Sequence, residues 1–201
     1  MAPTASSESF LEIENLPEAV ILRLNSKDEM NRLSRNCVAT LTGAVRELLP
    51  LGRALILAGN DHCFSAGADL NEVKALDAVT AAEFARSGQE LMSAIERFPA
   101  PVIAAISGHC MGGGLDLALA CHWRIAAPNA LFGHRGAALG LVTGWGGTQR
   151  LPRLVGKARA LQMLVAAEKI SASQALAWGL VAAIAEDPVA ETIARLRAPF
   201  T

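Results

Sequence analysis

Apolar positions recur along this chain with two periods, and their alternation outlines the fold. Cys37, Leu41, Val45 and Leu48 return every three to four residues and predict one face of a helix between Leu33 and Leu49, stopped by Pro50 and Gly52. Short apolar runs from Phe10 to Glu14 and from Ala19 to Leu24, joined by Asn15-Leu16-Pro17-Glu18, predict a strand hairpin. Arg53 to Ala58, Val102 to Ser107 and Trp123 to Ala127 read as further strands, and Leu131 to Gly133 as a short one. Thr80-Ala81-Ala82-Glu83 has capping-box spacing and predicts a helix running to about Phe98, where Pro99 and Pro101 stop it. Leu115 to Cys121, a segment around Thr148 to Val155, and Lys157 to Ala167 are predicted helices. Ser171 to Gln174 supplies a second capping box before a short helix ended by Gly179, and Val181 to Ala185 closes the pattern. No internal repeat or linker interrupts it. Strands alternating with helices predict parallel pairing through crossover helices, hence one layered α/β domain over 10–201 behind a flexible polar tail at 1–9.

Composition narrows the function classes. With 52% hydrophobic and 18% charged residues, a chain of 201 residues can bury a dense core and is not disordered. Eighteen Lys and Arg stand against nineteen Asp and Glu, so the net charge of -1 gathers neither nucleic acid nor an anionic membrane, and any anion must be bound locally. Met1 to Ser9 lacks the basic start and apolar stretch of a signal peptide. The longest near-apolar run, Ala175 to Ala185, is about half of the ~20 residues that span a bilayer. Cys37, Cys63, Cys110 and Cys121 form no C-x-x-C pair and read as reduced thiols of a cytoplasmic protein. His109-Cys110 and Cys121-His122 do not have a zinc spacing, so no metal is expected.

Two loops at carboxyl ends of predicted strands hold the candidate chemistry: Cys63-Phe64-Ser65-Ala66-Gly67-Ala68-Asp69-Leu70 and Ser107-Gly108-His109-Cys110-Met111-Gly112-Gly113-Gly114. Open α/β sheets place ligands outside these strand ends. Small residues there let a backbone approach a substrate, and the helix after Gly114 begins with free amides at a positive dipole end. One such loop alone is more simply a tight turn; two together point to a site. Other motifs fail: Leu151 stands where a P-loop before Gly156-Lys157 needs glycine, and Gln149 breaks a dinucleotide pattern at Gly144-Trp145-Gly146. Ser107 is not in a G-x-S-x-G elbow, because Ala105 precedes it by two.

Phe64 to Leu70 resembles the F-x-A-G-A-D signature of the crotonase (enoyl-CoA hydratase/isomerase) superfamily. Gly112 to Gly114 with Asp116 resembles its G-G-G-x-[ED] turn, and Gly146 to Leu151 its G-G-T-Q-R-L segment. Leu24-Asn25 through Met30-Asn31 is similar to its early coenzyme loop, and Ile170 to Val181 to its I-S-A-x-x-A-x-x-x-G-L-V segment. The resemblance covers nearly the whole chain and implies a ββα spiral core with a shortened C-terminal helical region. It implies an acyl-CoA enzyme of hydratase or isomerase type, with coenzyme A entering only as part of the substrate and no other cofactor. Assembly as a homotrimer or hexamer is implied by the same likeness. It places the amides of Ala68 and Gly113 on the thioester oxygen, with Ala66, Asp69, Leu70 and Asn71 along the substrate. Arg150 is structural by the same analogy, and Lys27 could meet a phosphate or be simply exposed.

Two departures limit the implied chemistry. Hydratases of this superfamily use two glutamates; Asp116 matches the first, one methylene shorter, and Gly136 falls at the second. Asp116 is then an acid or base, or only an aspartate favoured by the helix dipole. His134, two residues before Gly136, is the leading substitute for the missing carboxylate, with a core or surface histidine as the alternative and His62 a weaker candidate. After Val181 only twenty residues remain, fewer than the superfamily's closing helices need. The competing expectations are a decarboxylase or isomerase, which needs no pair of water-holding glutamates, and a catalytically silent acyl-CoA-binding subunit.

Overall fold

The computed structural model describes residues 10–198; the predicted flexible tail at 1–9 lies outside the described residues, as do 199–201. The chain opens with an antiparallel pair, β1 (Leu11–Asn15) and β2 (Ala19–Leu24). A short strand, β3 (Arg32–Leu33), leads into α1 (Arg35–Leu48), whose N-cap Ser34 accepts a hydrogen bond from the Cys37 amide. Over the described residues, three turns of a spiral come next, each giving one strand to a large sheet, one to a small sheet, and then helix. The first turn holds β4 (Ala54–Ala58), β5 (Cys63–Ser65), β6 (Gly67–Ala68), α2 (Leu70–Lys74) and α3 (Ala78–Glu96). The second holds β7 (Val102–Ile106), β8 (His109–Met111) and α4 (Gly113–Ala120); the third holds β9 (Trp123–Ala126), β10 (Leu131–Gly133) and α5 (Gly147–Val155). The described chain finishes with α6 (Lys157–Leu164), β11 (Lys169–Ser171), α7 (Ala172–Ala177), β12 (Ala183–Ile184) and α8 (Pro188–Arg197).

The large sheet runs β1-β2-β4-β7-β9-β12 and is parallel from β2 onward, as the strand and helix alternation predicts. The small sheet runs β5-β8-β10-β11, with β11 alone antiparallel in it, and β3 pairs with β6. This is the expected ββα spiral. Strands β4 and β7 are buried along their whole length, because parallel sheets are covered on both faces. On one face Val20, Leu22, Leu55, Leu57 and Ala104 meet Val38 and Leu41 of α1 and Leu91 and Met92 of α3. On the other, Ile21, Ile56 and Ala105 are covered by Val189, Ile193 and Leu196 of α8. Among the described residues no helix is long and apolar enough to cross a membrane.

Several predicted boundaries move for identifiable reasons. Asp77, not Thr80, caps α3: its carboxylate accepts from the Val79 and Thr80 amides, and Thr80 serves as the N3 partner of that box. The glycine-rich turn at 108–114 contains β8, and α6 ends at Leu164 rather than Ala167, which adopts a left-handed φ of 54°. Helix α8 has no counterpart among the predicted elements, although Asp187 caps it and Pro188 occupies its first turn. Helix α4 is enclosed almost throughout. Gly114 to Ala120 are all buried, and at its C-terminal end the guanidinium of Arg124 donates to the carbonyls of Ala118 (3.3 Å) and Cys121 (2.8 Å).

This core generates two expected outcomes. Leu91→Ala, at a position with no exposed surface, lowers the unfolding free energy by about 2–5 kcal/mol, read from urea denaturation. The cysteines report pH: burial pushes the thiols of Cys37 and Cys121 up to about 12 and that of Cys63 to about 11, from an ordinary value of 9.0. The folded state therefore keeps protons that the unfolded chain releases, so the stability present below pH 9 falls as pH rises toward 11 and 12. Urea midpoints at pH 8, 9.5 and 10.5 decrease in that order, and Ellman's reagent at pH 8 labels these thiols only after unfolding.

Candidate active site

The site forms where the first and second turns of the spiral touch. Gly67 has φ 95°, which an L side chain rarely adopts, and a Cβ there would lie 2.6 Å from the Met111 carbonyl oxygen and 2.9 Å from the Gly113 nitrogen. A Cβ on Gly113 would lie 2.5 Å from the Trp145 ring and 3.3 Å from the Ala68 nitrogen. Two bare backbones thus bring the amides of Ala68 and Gly113 side by side. The Gly113 amide stands in the first turn of α4, where no earlier helical carbonyl can accept it and the dipole end is positive.

The strand that presents Ala68 is pinned from behind. Asn31 is buried with a left-handed φ of 48° and donates from Nδ2 to the Cys63 carbonyl at 2.8 Å. The Ser65 hydroxyl donates to the Asn31 carbonyl at 2.7 Å and accepts from the Gly67 amide at 3.1 Å. Trp145 closes the opposite wall. Its ring tilts against Phe84 with centroids 5.1 Å apart, and its Nε1 donates to the Phe84 carbonyl at 3.2 Å.

One turn into α4, Asp116 is buried beside these amides. Its Oδ2 accepts a hydrogen bond from the Thr143 hydroxyl, and its Oδ1 lies 3.2 Å from Nε2 of His134, which is also buried. Those two facing atoms are not aligned as a hydrogen bond. Gly147 makes the approach possible, because a Cβ there would lie 2.1 Å from Oδ1 and 2.8 Å from Nε2. Ala66, Ala68, Gly113, Asp116, His134 and Gly136 line a single cleft of about 500 Å³, and its mouth is apolar, with Leu70, Phe84, Leu139, Leu141 and Val142.

Most of the expected site residues therefore converge, while some do not. Asp69 is not among the residues lining the cleft; its carboxylate caps α2 by accepting from the Asn71 amide at 2.8 Å, and Asn71 is exposed. His62 is exposed outside the cleft, with its carbonyl accepting from His109. Arg150 donates to the Trp145 carbonyl and pairs with Glu96 at 2.7 Å, a structural arrangement. Thr143 has no signal in the sequence, since a lone threonine in a glycine-rich loop carries no motif. Among the described residues no three His, Cys, Asp or Glu side chains gather as a metal site.

Known proteins share this architecture. The solved structure of an enoyl-CoA hydratase from Bacillus anthracis superimposes with a TM-score of 0.87 at 33% identity, covering 93% of this chain and 76% of that one. DspI of Pseudomonas aeruginosa superimposes with a TM-score of 0.89 at 34% identity, covering 97% of this chain and 79% of that one. In sequence the chain is 41% identical over 172 residues to the crotonyl-CoA hydratase of Syntrophomonas wolfei, which covers 84% of this chain. It is 48% identical over 147 residues to a probable enoyl-CoA hydratase of Bacillus subtilis, which covers 73% of it. The chain spans 66% of the first relative's length and 57% of the second's, less than two thirds of either. Residues 17–198 match the family model described as enoyl-CoA hydratase/isomerase, and the chain belongs to that family.

Proposed function

We propose that this protein acts on acyl-CoA thioesters, adding water to an enoyl group or shifting its double bond. The observation that supports this reading is the convergence of the Ala68 and Gly113 amides with a buried carboxylate and imidazole in one cleft. In either reaction, negative charge develops on the thioester oxygen as the enolate forms. Two fixed amides aimed at that oxygen contribute about 3–4 kcal/mol each, because they are already oriented when the charge appears. In hydration, the oxygen of water joins C3 and a proton reaches C2. Asp116 takes the proton released by water and returns one to C2, with His134 as the second proton-carrying group in place of the absent carboxylate. Coenzyme A is the substrate's own carrier, and no separate cofactor is part of this proposal. The four free thiols fit the reducing setting of a cytoplasm, and a homotrimer or hexamer is the assembly proposed.

A specific observation favours a second reading within the same superfamily. Gly136 lines the cleft where a second carboxylate would stand, but a Cβ there would lie 2.9 Å from the Leu141 carbonyl oxygen. The segment leaves no room for a longer residue without a backbone shift. Decarboxylation of an acyl-CoA needs the enolate-stabilising amides and does not need two carboxylates around a water.

Calorimetry separates acyl-CoA recognition from unrelated functions: crotonyl-CoA binds, and crotonate alone does not. Equal affinity for both, or no binding of either, overturns the proposal. Within it, Asp116→Asn lowers turnover by about 10²–10⁴-fold while crotonyl-CoA still binds. His134→Gln lowers hydration by at least tenfold. Product analysis by mass spectrometry over hydration, isomerisation and decarboxylation substrates assigns the reaction.

A further inference from the structure

Asp116 has two carboxylate oxygens in different surroundings, and the difference suggests a division of labour between them. Oδ2 is engaged by the Thr143 hydroxyl, whereas Oδ1 faces His134 Nε2 at 3.2 Å without an aligned hydrogen bond. A hydroxyl has one proton to give. Given to Oδ2, it fixes the rotation of the carboxylate and leaves Oδ1 as the oxygen free to exchange a proton.

Thr143 can do this because its own segment is anchored to α3. The next residue, Gly144, accepts from Gln89 Nε2 of α3 at 2.7 Å, and Trp145 donates to the Phe84 carbonyl of the same helix. On the far side, Gly147 begins α5 against Asp116 with no Cβ to intrude. The hydroxyl is therefore held between two fixed points rather than on a free loop. An aspartate in a buried pocket has χ2 freedom that a poorly aligned imidazole does not remove, and a carboxylate displaced by about 1 Å can lose as much as 10²-fold in rate.

From this geometry we infer that Thr143 is a positioning residue for proton transfer, selecting Oδ1 of Asp116 as the working oxygen by holding Oδ2. The inference rests on the proposed role of Asp116 in proton transfer. It assigns Thr143 no contact with the reacting atoms. Its effect is on kcat, through the carboxylate, and not on the affinity for the coenzyme.

The test compares Thr143→Val, which keeps the shape and removes the donor, with Thr143→Ser, which keeps the donor and removes a methyl. Thr143→Val lowers kcat by about 10–10²-fold with KM for the best acyl-CoA substrate within twofold. Thr143→Ser restores most of the rate. Equal loss in both variants, or unchanged kcat in Thr143→Val, overturns the inference; should the valine variant not fold, Thr143→Ala is read in the same way. A second measurement does not depend on turnover. With [13Cγ]aspartate labelling, the Asp116 carboxyl resonance, assigned through Asp116→Asn, moves in Thr143→Val and stays in place in Thr143→Ser. An unmoved resonance in the valine variant rejects the positioning role. An inactive wild type with the resonance shifted as expected would instead reject the proposed activity and leave the contact established.

Discussion

Placing a carboxylate inside the core constrains this structure more than any other single feature. Asp116 is 1% exposed on a helix whose other residues from Gly114 to Ala120 are also buried. Removing an ion from water costs several kcal/mol unless its oxygens find partners, so the surrounding chain must supply them. Thr143, which holds Oδ2, and His134, which faces Oδ1 without an aligned hydrogen bond, come from a different turn of the spiral, and the first turn of α4 adds its dipole. At the other end of the same helix, Arg124 is buried and directs its donors to the last carbonyls of α4 and to Leu180, with no carboxylate of the described residues paired with it. Burial disfavours the charged guanidinium, and carbonyl dipoles at a helix C-terminus compensate. Helix α4 is thus an apolar rod with a charge-bearing group attached at each end.

Close approach of backbones is the second constraint, and it derives from the first. For Asp116 to face the cleft, α4 must start directly against β5 and β6; a Cβ on Gly114 would lie 2.5 Å from the Ser65 carbonyl oxygen. The same contact makes Gly67 and Gly113 neighbours and sets their region's amides beside each other. Asn31 and Ser65 then supply the remaining anchorage, because a strand of two residues such as β6 has too few ladder bonds to hold its own position.

Elements with a full period were legible in the sequence, and those defined by distant contacts were not. Helix α1 is four turns of repeating apolar positions, and Ser171 with Gln174 forms the reciprocal box that its spacing announces. At α3 the same spacing misled, because Asp77 offers a carboxylate three residues before Thr80 and is the stronger acceptor for the free amides. Strands β5 and β8 have three residues each inside loops read as glycine turns, too short for any alternation to emerge. In the site, Ala68, Gly113, Asp116, His134 and Gly136 were visible as motif positions and their offsets, and they line one cleft. Asp69 matched a motif equally well, yet its short side chain is satisfied locally at the start of α2. Thr143 reaches across 27 positions to Asp116, and nothing in the intervening residues encodes that contact.

The identities of residues 116, 134, 136 and 147 form one steric solution. His134 Nε2 already lies 3.2 Å from the Asp116 carboxylate, and Gly147 has surrendered its Cβ to allow it. A glutamate at 116 is one methylene longer, and the imidazole and the Thr143 hydroxyl already stand against the shorter carboxylate. The shorter acid leaves room for both beside it. At 136 the opposite holds, since an added Cβ would lie 2.9 Å from the Leu141 carbonyl oxygen, so a second acidic group there requires the backbone to shift. A neutral imidazole at 134 offers one ring nitrogen as a donor and the other as an acceptor, where an ionised carboxylate only accepts. In the proposed reaction, exchanging one for the other would change which partner arrives carrying the proton, while the two backbone amides that would receive the developing charge stay where the glycine contact puts them.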